Sequence, residues 1–204
     1  MSDLLESGTL LLALLNPFLL IVYLAGPMHS LDSGQFTRVI FRAGVIASTI
    51  FCIFAVLGDA IFTTVLKADF ASFQIFGGIV FILIGVQFVF KGPKAVELLR
   101  GEPAHISGAI AMPVLIGPGT ISASVIIGKR HDALSAGLTV IAAVFISLLI
   151  VIALKWLHDY VRPRNEALVE RYIDIVGRIT ALYIGTVAVE MIMTGIGHWI
   201  EKFQ

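Results

Sequence analysis

The chain has 204 residues, of which 58% are hydrophobic and 14% are charged, and its mean hydropathy is +0.97. Soluble domains carry close to a quarter charged residues, so this composition excludes a water-soluble fold. The 14 basic and 14 acidic side chains cancel, which leaves no basic face for a phosphate backbone, and no nucleic acid is expected as a partner.

Uncharged intervals between the charged residues predict six membrane-spanning segments, because a lipid bilayer requires about 20 apolar residues per span. They are residues 7–31, 43–58, 70–90, 103–128, 133–154 and a last segment from Arg178 to about His198. The runs are continuous rather than alternating, which indicates helices and not strands. We therefore expect an all-α integral membrane protein with a single membrane domain over residues 1–204.

The distribution of Lys and Arg predicts the orientation. Ten of these residues lie after the first, third and fifth spans, and four lie on the other side. By the positive-inside rule the ten face the cytoplasm, which places both termini outside, in a periplasm, and the protein in the cell inner membrane as a multi-pass chain. Asp3 and Glu6 stand where a signal peptide would be basic, so the first span is expected to be permanent.

Matches one hundred residues apart indicate an internal duplication. The matching pairs are Gly77 with Gly177, Gly85 with Gly185 and Asp59 with Asp159. Three spans per copy is an odd number, so the second copy, residues 103–204, is expected to be inverted relative to the first, residues 1–95. The alternative is chance similarity between Gly-rich apolar segments.

The middles of the first and fourth spans contain Asn16-Pro17 and Gly117-Pro118-Gly119-Thr120, at nearly equivalent positions of the two copies. Proline lacks a backbone donor and clashes with the preceding turn, so both helices are predicted to break there. Asn16 and Gly117 would then precede two half-helix N-termini that approach the midplane from opposite sides.

The positive ends of two half-helices suit a carboxylate, and the carbonyls of Ala13 and Val114, freed by the prolines, suit an ammonium group. A zwitterionic amino acid fits both features. The predicted substrate-binding residues for such a small molecule are Asn16, Pro17, Gly117, Pro118, Gly119 and Thr120. The alternative is that Pro and Gly only kink these helices for packing.

Glu190 is the one central charge of the sixth span, and a carboxyl group in an apolar site can bind and release a proton. We therefore treat Glu190, with Gln87 as a weaker candidate, as a coupling site for H⁺. The alternative is a structural Glu190 that hydrogen bonds to Gln87, Thr186 or Thr194.

Enzyme chemistry, metal binding and cofactors are not expected. Ser122 and Ser124 have no His or Lys at comparable depth to act as a base, and no two histidines are spaced as metal ligands on one helix. Small residues recur at fourfold spacing in two spans, which predicts close helix packing. They are Gly44, Ser48 and Cys52 in the second span, and Gly177, Ala181 and Gly185 in the sixth.

These features resemble the MarC-type family of membrane proteins (multiple antibiotic resistance-related, UPF0056-like). The resemblance rests on the two proline motifs, Phe76-Gly77-Gly78, Pro113 and the stretch 177–195. It implies six spans, a broken-helix site and secondary transport of small neutral amino acids. The chain differs from the family pattern at Leu19 and Val22, where glycine and a second proline are usual, and at Glu190, where glutamine is usual.

The function we expect is secondary transport of a small solute by alternating access, driven by H⁺ or Na⁺. One alternative is a passive channel of the same architecture. Another is a membrane scaffold that binds a partner through the charged segment 155–175. The sequence does not decide whether the protein forms a homo-oligomer.

Overall fold

The protein is described by a computed structural model over residues 2–17, 20, 21, 24, 31–91, 115–163 and 165–202. In chain order its elements are α1 (Ser2–Leu15), α2 (Ser33–Ala60), a short π-helix (Ile61–Leu66), α3 (Phe70–Lys91), α4 (Pro118–Arg130), α5 (Ala133–Val161) and α6 (Glu166–Lys202). These described segments contain no strand, and the all-helical prediction is confirmed.

Four helices within the described residues are long and apolar enough to cross a membrane. They comprise Ser33–Gly58, Phe70–Lys91, Ala133–Val161 and Asp174–Lys202. α1 and α4, with 14 and 13 residues, are too short to cross alone. The predicted spans 7–31 and 103–128 continue into residues outside the described ones, so the total of six spans stays a prediction.

The helices extend beyond the predicted spans because a charged residue ends the apolar interval without ending the backbone hydrogen bonding. α2 begins before Arg38 and Arg42, and α5 continues past Lys155. The charged segment 155–175 is mainly helix, and residues 162–165 connect α5 to α6.

Two aspartates one hundred residues apart cap α2 and α5 in the same way. The Asp32 carboxylate accepts a hydrogen bond from the Gln35 amide at 2.8 Å, and Asp132 accepts one from the Ser135 amide at 3.1 Å. Each cap satisfies a backbone N–H that has no partner within the helix. The Ser135 hydrogen bonds also hold the pKa of Asp132 below its usual range.

The buried faces of α2 and α5 follow the same hundred-residue offset. The buried pairs are Phe36 with Ala136, Ile40 with Val140, Ala43 with Ala143, Ala47 with Ser147 and Phe51 with Val151. The two helices therefore present equivalent faces to the core, although the side chains on them differ.

α1, α2, α4 and α5 share one apolar core. α4 and α2 approach closely, since a Cβ on Gly128 would lie 1.7 Å from the Ala55 carbonyl oxygen. α2 and α5 also meet closely, because a Cβ on Gly44 would lie 2.3 Å from Leu148. The predicted packing role of Gly44 is therefore confirmed.

α3 and α6 form a glycine-lined pair beside this core. A Cβ on Gly78 would lie 2.6 Å from the Ala188 carbonyl oxygen, and one on Gly195 would lie 2.8 Å from the carbonyl oxygen of Ala71. A Cβ on Gly85 would lie 3.3 Å from the carbonyl oxygen of Ala181, a member of the predicted small-residue series, whereas a Cβ on Gly185 would meet open space. Backbones that approach this closely hold α3 and α6 in one register.

Polar contacts cluster at both ends of the bundle. At the end where α1 begins, which we call the terminal face, Ser7 Oγ lies 3.0 Å from His131 Nε2, and Lys202 pairs with Asp69. At the opposite face Asp159 accepts hydrogen bonds from Ser33 at 3.0 Å and from Lys155 at 2.6 Å. These contacts show that α1 and α5 begin at the same end and run in the same direction.

Candidate functional site

The helix that begins with α1 breaks at Asn16, as the proline motif predicted. Asn16 has a φ of 40°, in the left-handed region, which ends the regular helix after Leu15. Helical hydrogen bonding then resumes, since the Leu20 amide donates to the Asn16 carbonyl at 3.1 Å. Asn16 is half-buried and Pro17 is buried, so the break lies inside the protein.

The carbonyl that Pro17 leaves without a helical donor has a partner from another helix. The hydroxyl of Tyr183 in α6 donates to the Ala13 carbonyl at 3.3 Å. In this conformation Ala13 therefore binds Tyr183 rather than the ammonium group that we expected there. Val114, the matching carbonyl of the second copy, lies outside the described residues.

The second break lies at Gly117, which is extended with φ −120° and ψ 169° and directly precedes α4. The Thr120 hydroxyl oxygen accepts a hydrogen bond from the Gly117 amide at 3.0 Å and lies 3.0 Å from the Leu115 and Gly117 carbonyls. Thr120 is 4% exposed, so this cap is shielded from the surroundings. Gly117 and Pro118 therefore take the N-cap and first-turn positions that the sequence predicted.

The first turn of α4 presents backbone donors at this break. The first helical hydrogen bond runs from the Ile121 amide to the Gly117 carbonyl at 3.0 Å. The amide N–H groups of Gly119 and Thr120 come before this first bond in the chain, so they have no carbonyl partner within the helix and point out of its end. Pro118 has no N–H group. The positive end of the α4 dipole therefore lies within the protein, where it favours a negative group.

Side chains of α1 and α3 bring the two breaks together. A Cβ on Gly119 would lie 3.1 Å from Phe81 Cε2 and 3.7 Å from Leu14 Cδ2. The Pro118 ring packs on Gly77 of α3, where an added Cβ would lie 2.1 Å from Pro118 Cβ. Leu14, two residues before Asn16, therefore contacts the first turn of α4, and α3 packs beside it.

The structure does not bring Glu190 or Gln87 into the break. Met191 is buried against Gly77, so Glu190 lies at the same depth, but its own side chain is exposed on the outer side of α6. Gln87 is half-buried in α3, ten residues beyond Gly77, which places it about 15 Å nearer the opposite face. The coupling role of both residues stays a prediction.

Four residues at the breaks were missed from the sequence as site residues, namely Leu14, Gly77, Phe81 and Tyr183. Gly77 carried a signal, because it belongs to the repeated glycines, but the pattern did not indicate that its partner is Pro118. The other three are ordinary residues of apolar spans, and no spacing distinguishes them.

Two grooves lie away from the breaks, on the outer surface of helix pairs. One of about 830 Å³ lies between α2 and α5 and includes Ser48 and Cys52, and one of about 450 Å³ lies between α3 and α6 at Gly85 and Gly185. Both are lined mainly by apolar side chains, as expected for surfaces that face lipid.

Comparison with known proteins matches nearly the whole chain to one group. Residues 1–200 match a family described as MarC family integral membrane protein. A UPF0056 membrane protein of Aquifex aeolicus is 24% identical over 94% of this chain and 91% of its own length. Another from Pyrococcus horikoshii is 25% identical over 97% of this chain and 95% of its own length. No solved structure matches the chain.

Proposed function

Because the chain belongs to the MarC family of integral membrane proteins, we propose that it is a secondary transporter of a small solute, with small neutral amino acids as the substrate class. The observation that carries the proposal is the buried N-terminus of α4, which lies beside the break of α1. Broken helices that meet within a membrane domain offer backbone donors and acceptors to a substrate without a charged side chain.

Alternating access would follow from two inverted halves. The equivalent caps at Asp32 and Asp132 and the equivalent buried faces of α2 and α5 support a duplication. We propose that residues 1–95 and 103–204 each contribute three spans, related by an axis in the membrane plane. Rocking of one half against the other would then open the site to each side in turn.

The charge distribution supports the proposed orientation. Of the described Lys and Arg residues, seven lie towards the opposite face and four towards the terminal face, and we assign the opposite face to the cytoplasm. The terminal face, with both chain termini, would then lie outside the inner membrane. A scaffold, the other alternative, would use the charged segment 155–175, most of which is helix.

Transport is tested with the purified protein in liposomes, by uptake of labelled glycine and alanine with and without an imposed H⁺ or Na⁺ gradient. We expect gradient-driven accumulation above the external concentration, which protein-free liposomes do not show. Uptake that only equilibrates the two sides would indicate a channel. If neither amino acid enters, the proposed substrate class is wrong.

A further inference from the structure

One buried hydroxyl near the α4 break, that of Ser122, stands out among the described residues. Ser122 is 5% exposed, and among the described residues no group hydrogen bonds to its Oγ. A buried polar group without a partner is costly, so such a group in a folded protein calls for a specific reason.

Other Ser and Thr hydroxyls of these helices form a hydrogen bond that Ser122 lacks. Six of them donate to the carbonyl four residues earlier at 2.7–3.0 Å, namely Thr9, Thr37, Thr49, Ser124, Thr139 and Thr186. This bond is the usual solution for Ser and Thr in an apolar helix. The Ser122 hydroxyl makes no such bond.

The geometry of a helix directs this hydroxyl towards the break. Helical side chains lean towards the N-terminus and cover the preceding turn, and for Ser122 that turn contains Gly119. Gly119 has no side chain, and Phe81 and Leu14 pack against it. On this geometry the hydroxyl is expected to lean towards the turn whose amides end at the break.

We propose that Ser122 is a third donor of this site and that its hydroxyl binds a carboxylate oxygen of the substrate, beside the amides of Gly119 and Thr120. This inference rests on the proposed function and deepens it, because it names the group of the substrate that is recognised. A carboxylate accepts several hydrogen bonds at once and carries the negative charge that the helix end favours.

Ser147 shows why burial alone does not carry the proposal. It is also fully buried without a hydrogen-bond partner among the described residues. It lies within α5, fourteen residues after that helix begins, and therefore not at a helix N-terminus. Ser122 combines the missing partner with a helix end that favours an anion.

The test measures thermal unfolding of the purified full chain in detergent, with glycine, acetate or glycinamide as probes. We expect glycine and acetate to raise the Tm, and glycinamide, which has no carboxylate, to leave it unchanged. Ser122→Ala should weaken carboxylate binding at least about tenfold, because the lost hydrogen bond involves a charged group. Ser122→Thr keeps the hydroxyl and should retain the Tm shift.

Ser124→Ala is the matched control, since Ser124 is equally buried on the same helix and already donates to the Thr120 carbonyl at 2.7 Å. Each variant is compared with its own Tm without probe, and Ser124→Ala should keep the carboxylate shift. An unchanged shift in Ser122→Ala, or no shift of the wild type by either carboxylate, overturns the assignment.

Measurement of glycine uptake in liposomes tests the role of Ser122 separately from the proposed transport function. If the wild type transports glycine and Ser122→Ala has the same KM, the assignment of Ser122 is wrong and transport stands. If carboxylates bind through Ser122 but no amino acid is transported, the site stands and the amino acid function is wrong.

Discussion

The hydroxyl of Tyr183 lies 3.3 Å from the carbonyl oxygen of Ala13 and donates to it, which ties α6 to the break of α1. The two residues are 170 positions apart. Pro17 has no N–H to offer the Ala13 carbonyl, so Tyr183 supplies the donor that the helix lacks. A polar contact between the two halves of the chain thus lies directly at the candidate site.

Tyr183→Phe should lower the free energy of unfolding by about 1 kcal/mol, because the Ala13 carbonyl loses its donor in an apolar surrounding. The measurement is unfolding of the purified protein in mixed micelles with increasing SDS. Tyr172→Phe is the control, since Tyr172 is exposed on the same helix. Equal stability of the two variants would show that the hydrogen bond contributes nothing.

Gly77→Ala should destabilise the protein by about 1–3 kcal/mol, because the new Cβ cannot share its position with the Pro118 ring without a shift of α3 or α4. Gly137→Ala in α5 has open space around it and should be neutral or stabilise by up to about 1 kcal/mol through helix propensity. Both are measured by the same unfolding experiment. A stable Gly77→Ala protein would contradict the packing of the break on α3.

Gly119→Leu should abolish substrate binding while the protein remains folded, because the larger side chain fills the space between Phe81 and Leu14 at the helix end. Binding is measured by the Tm shift with glycine, and folding by circular dichroism and gel filtration. If a folded Gly119→Leu protein keeps the glycine shift, the site lies elsewhere.

Glu190→Gln tests the predicted coupling site without a change in side-chain size. If Glu190 carries the transported proton, glycine uptake in liposomes should lose its dependence on a proton gradient, because an amide does not titrate. Thr186→Val, one turn earlier on the exposed side of α6, is the control. Proton-driven uptake that survives in Glu190→Gln would make Glu190 a structural residue.

Asp69, at the terminal face, should make the free energy of unfolding depend on pH. The hydrogen bond from Lys202, with one from the Ala71 amide, holds the pKa of Asp69 below its usual range. A lowered folded-state pKa contributes stability above the unfolded value of about 3.9, and that contribution is lost as the pH falls through the folded-state pKa.

The Lys202 side chain is largely exposed to solvent and that of Asp69 is half-buried at the protein surface, so the contribution is below about 1 kcal/mol. Asp69→Asn should lower the Tm slightly near neutral pH and match the wild type in acid, as measured by thermal unfolding across that range. A constant difference between the two proteins at every pH would contradict this assignment.

The sequence by itself determined the class of protein and the places where two helices break. Continuous apolar runs make helices the only backbone that satisfies its own hydrogen bonds in lipid, and proline breaks a helix through its own covalent structure. Both effects are local, so the helix break at Asn16 and the helix start after Gly117 were correctly identified without any tertiary information. The paired caps at Asp32 and Asp132 carried the same kind of local signal, at the hundred-residue offset, and were overlooked.

Only the tertiary structure decided what surrounds those breaks. Gly77 against Pro118, Phe81 beside Gly119 and Tyr183 on Ala13 are contacts between residues 38 to 170 positions apart. The outward direction of Glu190 was likewise not readable, because a helix whose sides are all apolar gives no periodic signal for the side that is buried. Helix packing, which depends on the close approach of distant backbones, selects that side.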